Sequence, residues 1–113
     1  MKSLEKDEEA LKCYDKAIES GPKDYQAHHY RGVTLQKLGR FEEAIKSYEK
    51  AMELDPDEGS TYCGKGICLA ESGRYNEALE CYEKALKLDG EMILAHFNKG
   101  NVLRMLEKYE EAI

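Results

Sequence analysis

The chain has 113 residues, 42% of them hydrophobic and 35% charged, which suits one domain with a modest core. Seventeen Lys and Arg against 23 Asp and Glu leave a net charge of −6, so a nucleic-acid backbone would meet net repulsion and is not expected as partner. No run approaches the ~18 apolar residues of a membrane span. The opening MKSLEKDEEALK also lacks the apolar stretch of a secretory leader.

Taken in chain order, the apolar pattern predicts helices near 7–20, 24–38, 41–54, 58–72, 75–88 and 92–106, with a seventh beginning near 109. In the second, Ala27, Val33, Leu35 and Leu38 run without Pro up to Gly39, and Gly takes up the left-handed C-terminal conformation of a helix at little cost. In the third, Phe41, Ala44, Ile45, Tyr48, Ala51, Met52 and Leu54 recur at three- and four-residue spacing. Asp55-Pro56 ends it, because the residue before Pro is pushed out of the α region.

These elements repeat. Residues 25–58 and 59–92 align without a gap and share 12 of 34 positions, among them Gly32/Gly66, Gly39/Gly73, Ala44/Ala78, Tyr48/Tyr82 and Ala51/Ala85. Ala10, Tyr14 and Ala17 continue the register backwards; His96, Gly100 and Leu103 continue it forwards. The whole chain therefore reads as one array over 1–113: the second helix of a partial repeat (1–24), full repeats over 25–58 and 59–92, and a truncated repeat (93–113). Its stop at Ala112-Ile113, early in a second helix, reads as a fragment of a longer array. A Gly inside a helix costs roughly 1 kcal/mol relative to Ala, so its return every 34 residues implies close packing of paired helices.

On these residues the chain resembles the tetratricopeptide repeat family, through Gly32, Gly39, Phe41, Ala44, Tyr48, Ala51 and Pro56 and the matching series Gly66, Gly73, Tyr75, Ala78, Tyr82 and Ala85. It departs from the family pattern at His28, Tyr62 and His96 in place of Trp, and at Arg31, Lys65 and Lys99 in place of Leu. Gly90 stands where Pro56 stood, which predicts a looser corner, and Glu107 replaces the turn Gly. The resemblance implies an all-α, right-handed superhelical solenoid of antiparallel helix pairs. It also implies a cytoplasmic, non-enzymatic scaffold for protein–protein interaction, with no cofactor. Its concave groove, lined by the first helices, would bind a peptide or protein segment.

The face opposite Gly32 and Leu35 carries Gln26, His29, Tyr30, Val33, Gln36 and Lys37. The later first helices offer Cys63, Ile67 and Ala70, with Ser60, Gly64 and Glu71 beside them, and then Phe97, Asn98, Asn101 and Arg104, with Leu94 and Met105. Relatives that grip the C-terminal carboxylate of heat-shock chaperones carry Lys, Asn and Arg at positions occupied here by His29, Val33, Gly64, Leu94 and Asn98. None of the five matches, so the resemblance does not extend to that ligand.

The remaining chemistry is sparse. Cys13 and Cys81 lie two repeats apart and Cys63 and Cys68 diverge on one helix, so free thiols in a reducing compartment are expected. His28 and His96 are expected as half-buried structural rings. His29 and Cys63 lack the further ligands a metal needs, and none is expected. Acidic pairs such as Glu42-Glu43 complement the dipole at helix starts. The alternative to groove binding is a structural element that stacks end to end. Ala10, Tyr14 and Ala17 of one chain would dock on the Gly100 and Leu103 side of another in weak head-to-tail self-association, with residues 107–113 competing for that surface.

Overall fold

The computed structural model describes the backbone of residues 2–112 and the side chains of all of these except Lys2, Ser3, Tyr109 and Ala112. Six α-helices account for most of it: α1 (Lys2–Ser20), α2 (Tyr25–Lys37), α3 (Phe41–Leu54), α4 (Gly59–Glu71), α5 (Tyr75–Leu88) and α6 (Ile93–Ala112). No strand occurs among the described residues. None of their helices is long and apolar enough to cross a membrane. The contacts gather into two compact units, Met1–Pro56 with α1 to α3 and Asp57–Ile113 with α4 to α6.

Within the first unit, α2 and α3 form an antiparallel pair closed by the expected turn. Gly39 has φ +77°, its N–H donates to the Gln36 carbonyl and the Arg40 N–H reaches back to Leu35 at 2.9 Å. That pattern satisfies carbonyls the helix end would otherwise orphan. Gly73, with φ +80°, does the same between α4 and α5, where Arg74 donates to the Leu69 carbonyl at 2.8 Å. The small residues let the paired helices approach. A Cβ on Gly32 would lie 2.9 Å from the Tyr48 ring, and one on Gly66 would lie 2.6 Å from Tyr82. Around these contacts Leu35, Ala44, Ala51, Leu69, Ala78 and Ala85 are buried.

Helix α1 packs on α2 through the buried Leu11, the Asp15–Arg31 pair at 2.7 Å and a Tyr14–Tyr30 ring stack at 6.3 Å. Arg31 also donates to Ser47 of α3 at 2.6 Å, so one guanidinium ties three helices. Glu43 and Glu77 do more than complement a dipole: each holds the Arg that precedes its helix, Arg40 and Arg74, in a two-pronged contact.

Four expectations change. Helix α1 begins at Lys2, not near 7. No separate seventh helix starts near 109 among the described residues; α6 runs on to Ala112, and Ile113 lies outside them. The reason is Glu107, which stands where Gly39 and Gly73 turn the chain: a side chain makes the left-handed conformation costly, so the α conformation continues. The corner at Gly90 is not loosened, since Asp89 (φ −145°, ψ 94°) repeats the geometry of Asp55 (φ −143°, ψ 91°). His96 is exposed rather than half-buried, although its Nε2 reaches the Gly90 carbonyl at 2.9 Å as that of the buried His28 reaches Pro22 at 3.0 Å.

Candidate functional site

In the second unit, α4, α5 and α6 enclose a cleft of about 320 Å³. Helix α4 supplies Ile67, Ala70 and Glu71, α5 supplies Tyr75 and Tyr82, and α6 supplies Asn98, Asn101, Val102 and Met105. Six of the residues read from sequence on the groove face therefore meet there: Ile67, Ala70, Glu71, Asn98, Asn101 and Met105. They meet because the three- and four-residue spacings 67, 70, 71 and 98, 101, 102, 105 lay a stripe along each helix. Tyr82 closes the floor, held by its contact with Gly66.

The polar side chains of this cleft are the Asn98 and Asn101 amides, the Glu71 carboxylate and the hydroxyls of Tyr75 and Tyr82. The Asn98 Nδ2 is buried and makes no hydrogen bond of good geometry. Its amide lies beside the Cys63 thiol. Burial pushes that thiol up from its ordinary range and the amide pulls it part of the way back. A thiol is only a weak acceptor, so Nδ2 is left short of a full partner, a state that costs roughly 1–3 kcal/mol when nothing relieves it. Tyr82 is raised chiefly by burial, and Cys68 is pushed up to about 12 for the same reason, so both stay protonated at neutral pH.

Cys63 itself does not belong to the open face. It is 2% exposed, because this first helix is buried on more than one side. The Asn98 amide of α6 and Cys81 of α5 both lie close enough to act on its thiol. Phe97 and Arg104 are exposed on α6 and do not line the cleft.

The first unit presents its predicted residues along α2. Gln26, Tyr30 and Lys37 are exposed, while His29, Val33 and Gln36 are half-buried. The His29 ring sits among aromatics, 5.7 Å from Tyr25, 5.2 Å from Tyr30 and 5.8 Å from Tyr48. Gln36 Oε1 accepts from the Tyr48 hydroxyl at 2.8 Å. Sequence reasoning missed Tyr14 and Tyr25 as members of this ring cluster and Tyr82 as the cleft floor. The period-34 Tyr series signalled only packing. A second cleft, of about 370 Å³, lies among Asp15, His28, Arg31, Lys46, Ser47 and Lys50 and contains none of the predicted residues.

No disulfide joins Cys13, Cys63, Cys68 or Cys81. Among the described residues no cluster of three or more His, Cys, Asp or Glu is placed to hold a metal ion.

Residues 24–91 match the tetratricopeptide repeat family model. Residues 7–38, well under half of the chain, also match the protein prenyltransferase alpha subunit repeat. No curated protein sequence matches. Among solved structures, the first tetratricopeptide domain of Spaghetti (RPAP3), bound to the HSP90 peptide SRMEEVD, superposes with a TM-score of 0.89 at 22% identity, covering 93% of this chain and 83% of that one. YrrB, described as having an unusual peptide-binding site, gives 0.81 at 26% identity, covering 87% of this chain and 50% of its own. MamA AMB-1 gives 0.73 at 34% identity, covering 78% of this chain and 52% of its own, so this chain spans about half the length of the YrrB and MamA structures. With the 34-residue period, the Gly–Tyr helix pairs and a family match over residues 24–91, the chain belongs to the tetratricopeptide repeat family.

Proposed function

We propose that the chain is a protein-interaction scaffold that holds a peptide or protein segment, with the α4–α5–α6 cleft as one anchoring point. The observation that carries this reading is the buried Asn98 Nδ2, a donor without a good partner at the edge of a cleft lined by Ile67, Ala70, Val102 and Met105. Buried donors in native proteins nearly always find acceptors, and a backbone carbonyl of an extended segment would supply one. Asn101 offers a second amide one helical turn along. The apolar residues would take one aliphatic side chain of the ligand, and Glu71 favours a neighbouring Lys or Arg. That a peptide is bound in the Spaghetti structure, and that YrrB is described as having a peptide-binding site, supports the class of partner. The specific acidic peptide does not carry over, because His29, Val33, Gly64, Leu94 and Asn98 supply no Lys or Arg for its carboxylates.

Phe97 and Arg104 on α6 extend the proposed contact surface of the second unit, and in the first unit the aromatic cluster of α2, with Val33, Gln36 and Lys37, is proposed as a contact surface of its own. A single array of repeats over 1–113 and a reducing, cytoplasmic setting belong to the same proposal. The buried thiols Cys63 and Cys68, neither in a disulfide, support the latter. No catalytic role is proposed.

Panning a displayed random-peptide library and titrating the selected peptide tests the reading. Asn98→Ala and Ile67→Ser should each weaken it by about tenfold, the ~1.4 kcal/mol of one lost buried contact. Selected peptides that bind both variants as tightly as the parent would place the binding surface elsewhere.

A further inference from the structure

The cleft of the first unit carries a charge pattern that packing does not require. Asp15 and Ile18 of α1, His28 and Arg31 of α2, and Lys46, Ser47 and Lys50 of α3 line a space of about 370 Å³. Three cations meet one carboxylate there, although the whole chain has a net charge of −6. As a tie between helices, Arg31 needs only Asp15 at 2.7 Å and Ser47 at 2.6 Å. Lys46 and Lys50 add nothing to that tie. They lie four residues apart on α3, a like-charge spacing that weakens a helix. Lys50 has the exposed Glu53 at 3.4 Å, while Lys46 has no ion-pair partner among the described residues. The next repeat fills the same positions differently. Glu80 and Lys84 replace Lys46 and Lys50, which is a favourable pair at that spacing, and Cys81 replaces Ser47. The 34-residue period therefore does not impose the two lysines or the hydroxyl.

Two donors at this cleft are incompletely used. The Arg31 guanidinium carries five N–H groups, of which Nε donates to Asp15 and one on Nη1 donates to Ser47. The others meet no acceptor among the described residues. Ser47 is 4% exposed, and its Oγ accepts from Arg31, so its own O–H is left without an acceptor among the described residues. Buried polar groups nearly always find partners. His28 does not supply one, because its Nε2 is already on the Pro22 carbonyl at 3.0 Å. Asp15 answers one cation of the three. What the cleft lacks is a group with several acceptor oxygens and more than one negative charge.

We propose that this cleft binds a phosphate monoester group, either free or on a Ser of a protein segment. Three cations less one carboxylate leave a surplus of two positive charges, which a phosphate with its charge of about −2 neutralises. Its oxygens accept from the unused Arg31 N–H groups, from the Ser47 O–H and from the ammonium of Lys46, which is exposed and can swing in from the rim. Ile18, half-buried in the cleft wall, offers an apolar contact to the carbon next to the ester oxygen. A single carboxylate carries half the charge and fewer oxygens, and Asp15 already supplies one. The cleft is open and its lysines are screened by salt, so the affinity for the isolated group is modest, with a Kd of about 1 mM. The site does not rest on the groove reading, since none of its residues lines the α4–α5–α6 cleft.

Chemical-shift titration of the isotope-labelled chain tests this, with sodium chloride holding the ionic strength constant. The probes are inorganic phosphate, a short phosphoserine peptide and the same peptide unphosphorylated. The amide signals of Lys46 and Ser47 and the Nε signal of Arg31 should shift saturably with phosphate. A phosphoserine peptide that binds tighter than phosphate at the same signals identifies a protein segment as the source of the group; one that binds no tighter identifies the free group. Arg31 is left intact, because it ties three helices. Lys46→Glu changes an exposed side chain, installs the pairing of Glu80 with Lys84, and should weaken phosphate at least about tenfold. Lys46→Arg keeps the charge and should retain binding. Helical circular dichroism checks that both variants fold. Shifts that do not saturate with either phosphorylated probe overturn the proposal. So does an unchanged affinity in Lys46→Glu, or an unphosphorylated peptide that binds these signals as tightly as its phosphorylated form.

Discussion

Gly66 and Gly100 occupy the same place in successive repeats, yet a Cβ at Gly66 would lie 2.6 Å from the Tyr82 ring and one at Gly100 would meet nothing within 4 Å. The α4–α5 pair shows the repeat closed; α6 shows the same surface open. The difference teaches what the recurring Gly is for. In a closed pair it is the gap into which a Tyr ring fits, and its conformational cost is offset by burial of that ring and of Leu69. On α6 the cost remains and the benefit is absent, so Gly100 is a helix-weakening residue until something covers it.

The largest expected effect breaks this comparison directly. Gly66→Leu drives a branched side chain into the Tyr82 ring and should lower stability by at least ~3 kcal/mol, the upper range for overpacking a tight contact. Gly100→Leu, by contrast, should raise it by up to ~1 kcal/mol through helix propensity alone. Thermal melts of the two variants, at a concentration where the parent is monomeric, read the difference. Equal midpoints would mean that the Gly–Tyr contact does not set the pair distance.

Alkaline pH sharpens the contrast between the units. Cys68 of α4, buried and pushed up to about 12, is matched in α2 by Thr34, whose hydroxyl donates to the Tyr30 carbonyl at 2.9 Å and does not titrate. The folded thiol holds its proton more tightly than the unfolded one, with its ordinary value of 9.0. Its contribution is therefore fully present below about pH 9 and is lost as pH rises towards 12, at up to ~1.4 kcal/mol per pH unit for one group. Urea midpoints should fall from pH 9 to 11, and less steeply in Cys68→Ala. The same slope in both would acquit this thiol.

The turns offer a third comparison. Gly39 holds φ +77° with nothing within 4 Å of a Cβ, so Gly39→Ala tests backbone conformation without steric clash and should cost about 1–2 kcal/mol. Glu107→Gly reverses the change that lets α6 continue. It should lower the helical circular dichroism by roughly one turn's worth and stability by no more than ~1 kcal/mol. An unchanged spectrum would show that position 107 does not decide where α6 ends.

These positions also mark what could be read from sequence. Helix pairing was legible because the residues that enforce it, Gly, Ala and Tyr, return in one register, and the turns because Gly39 and Gly73 sit where only a left-handed residue fits. The end of α6 was misjudged because periodicity carried the turn past the one residue, Glu107, that had lost the means to make it. The early start of α1 left little signal, since Leu4 is the one apolar residue in Lys2 to Lys6 and no apolar stripe can be read there, although Ser3 is a preferred N-cap type. For the site, the stripe of Ile67, Ala70, Asn98 and Asn101 followed from helical spacing. The burial of Cys63 did not, because a first helix in a stack has more than one covered side and period alone does not say which neighbour is closer. The unpartnered state of Asn98 depends on the distance between two helices, which no single-helix pattern encodes.

The smallest expected effect compares the two covering tyrosines. Both are 1% exposed and both cap a Gly, so replacing each by Phe keeps the ring in place and reads the hydroxyl alone. Tyr48 donates to Gln36 at 2.8 Å, and the counterpart of Gln36 in α4 is Ala70, which has no side-chain acceptor. Removing the hydroxyl therefore breaks a buried bond in one unit and no equivalent bond in the other. Tyr48→Phe leaves the Gln36 amide unpaired in a half-buried site and should cost about 1 kcal/mol, the net value of a typical intramolecular hydrogen bond. Tyr82→Phe should change stability by less than ~0.5 kcal/mol, and it makes the floor of the α4–α5–α6 cleft more apolar. Urea denaturation of the two variants at neutral pH measures both values. If Tyr82→Phe costs as much as Tyr48→Phe, its hydroxyl has a partner inside the cleft. The polar recognition there would then be shared between Tyr82 and Asn98, not carried by the amide alone.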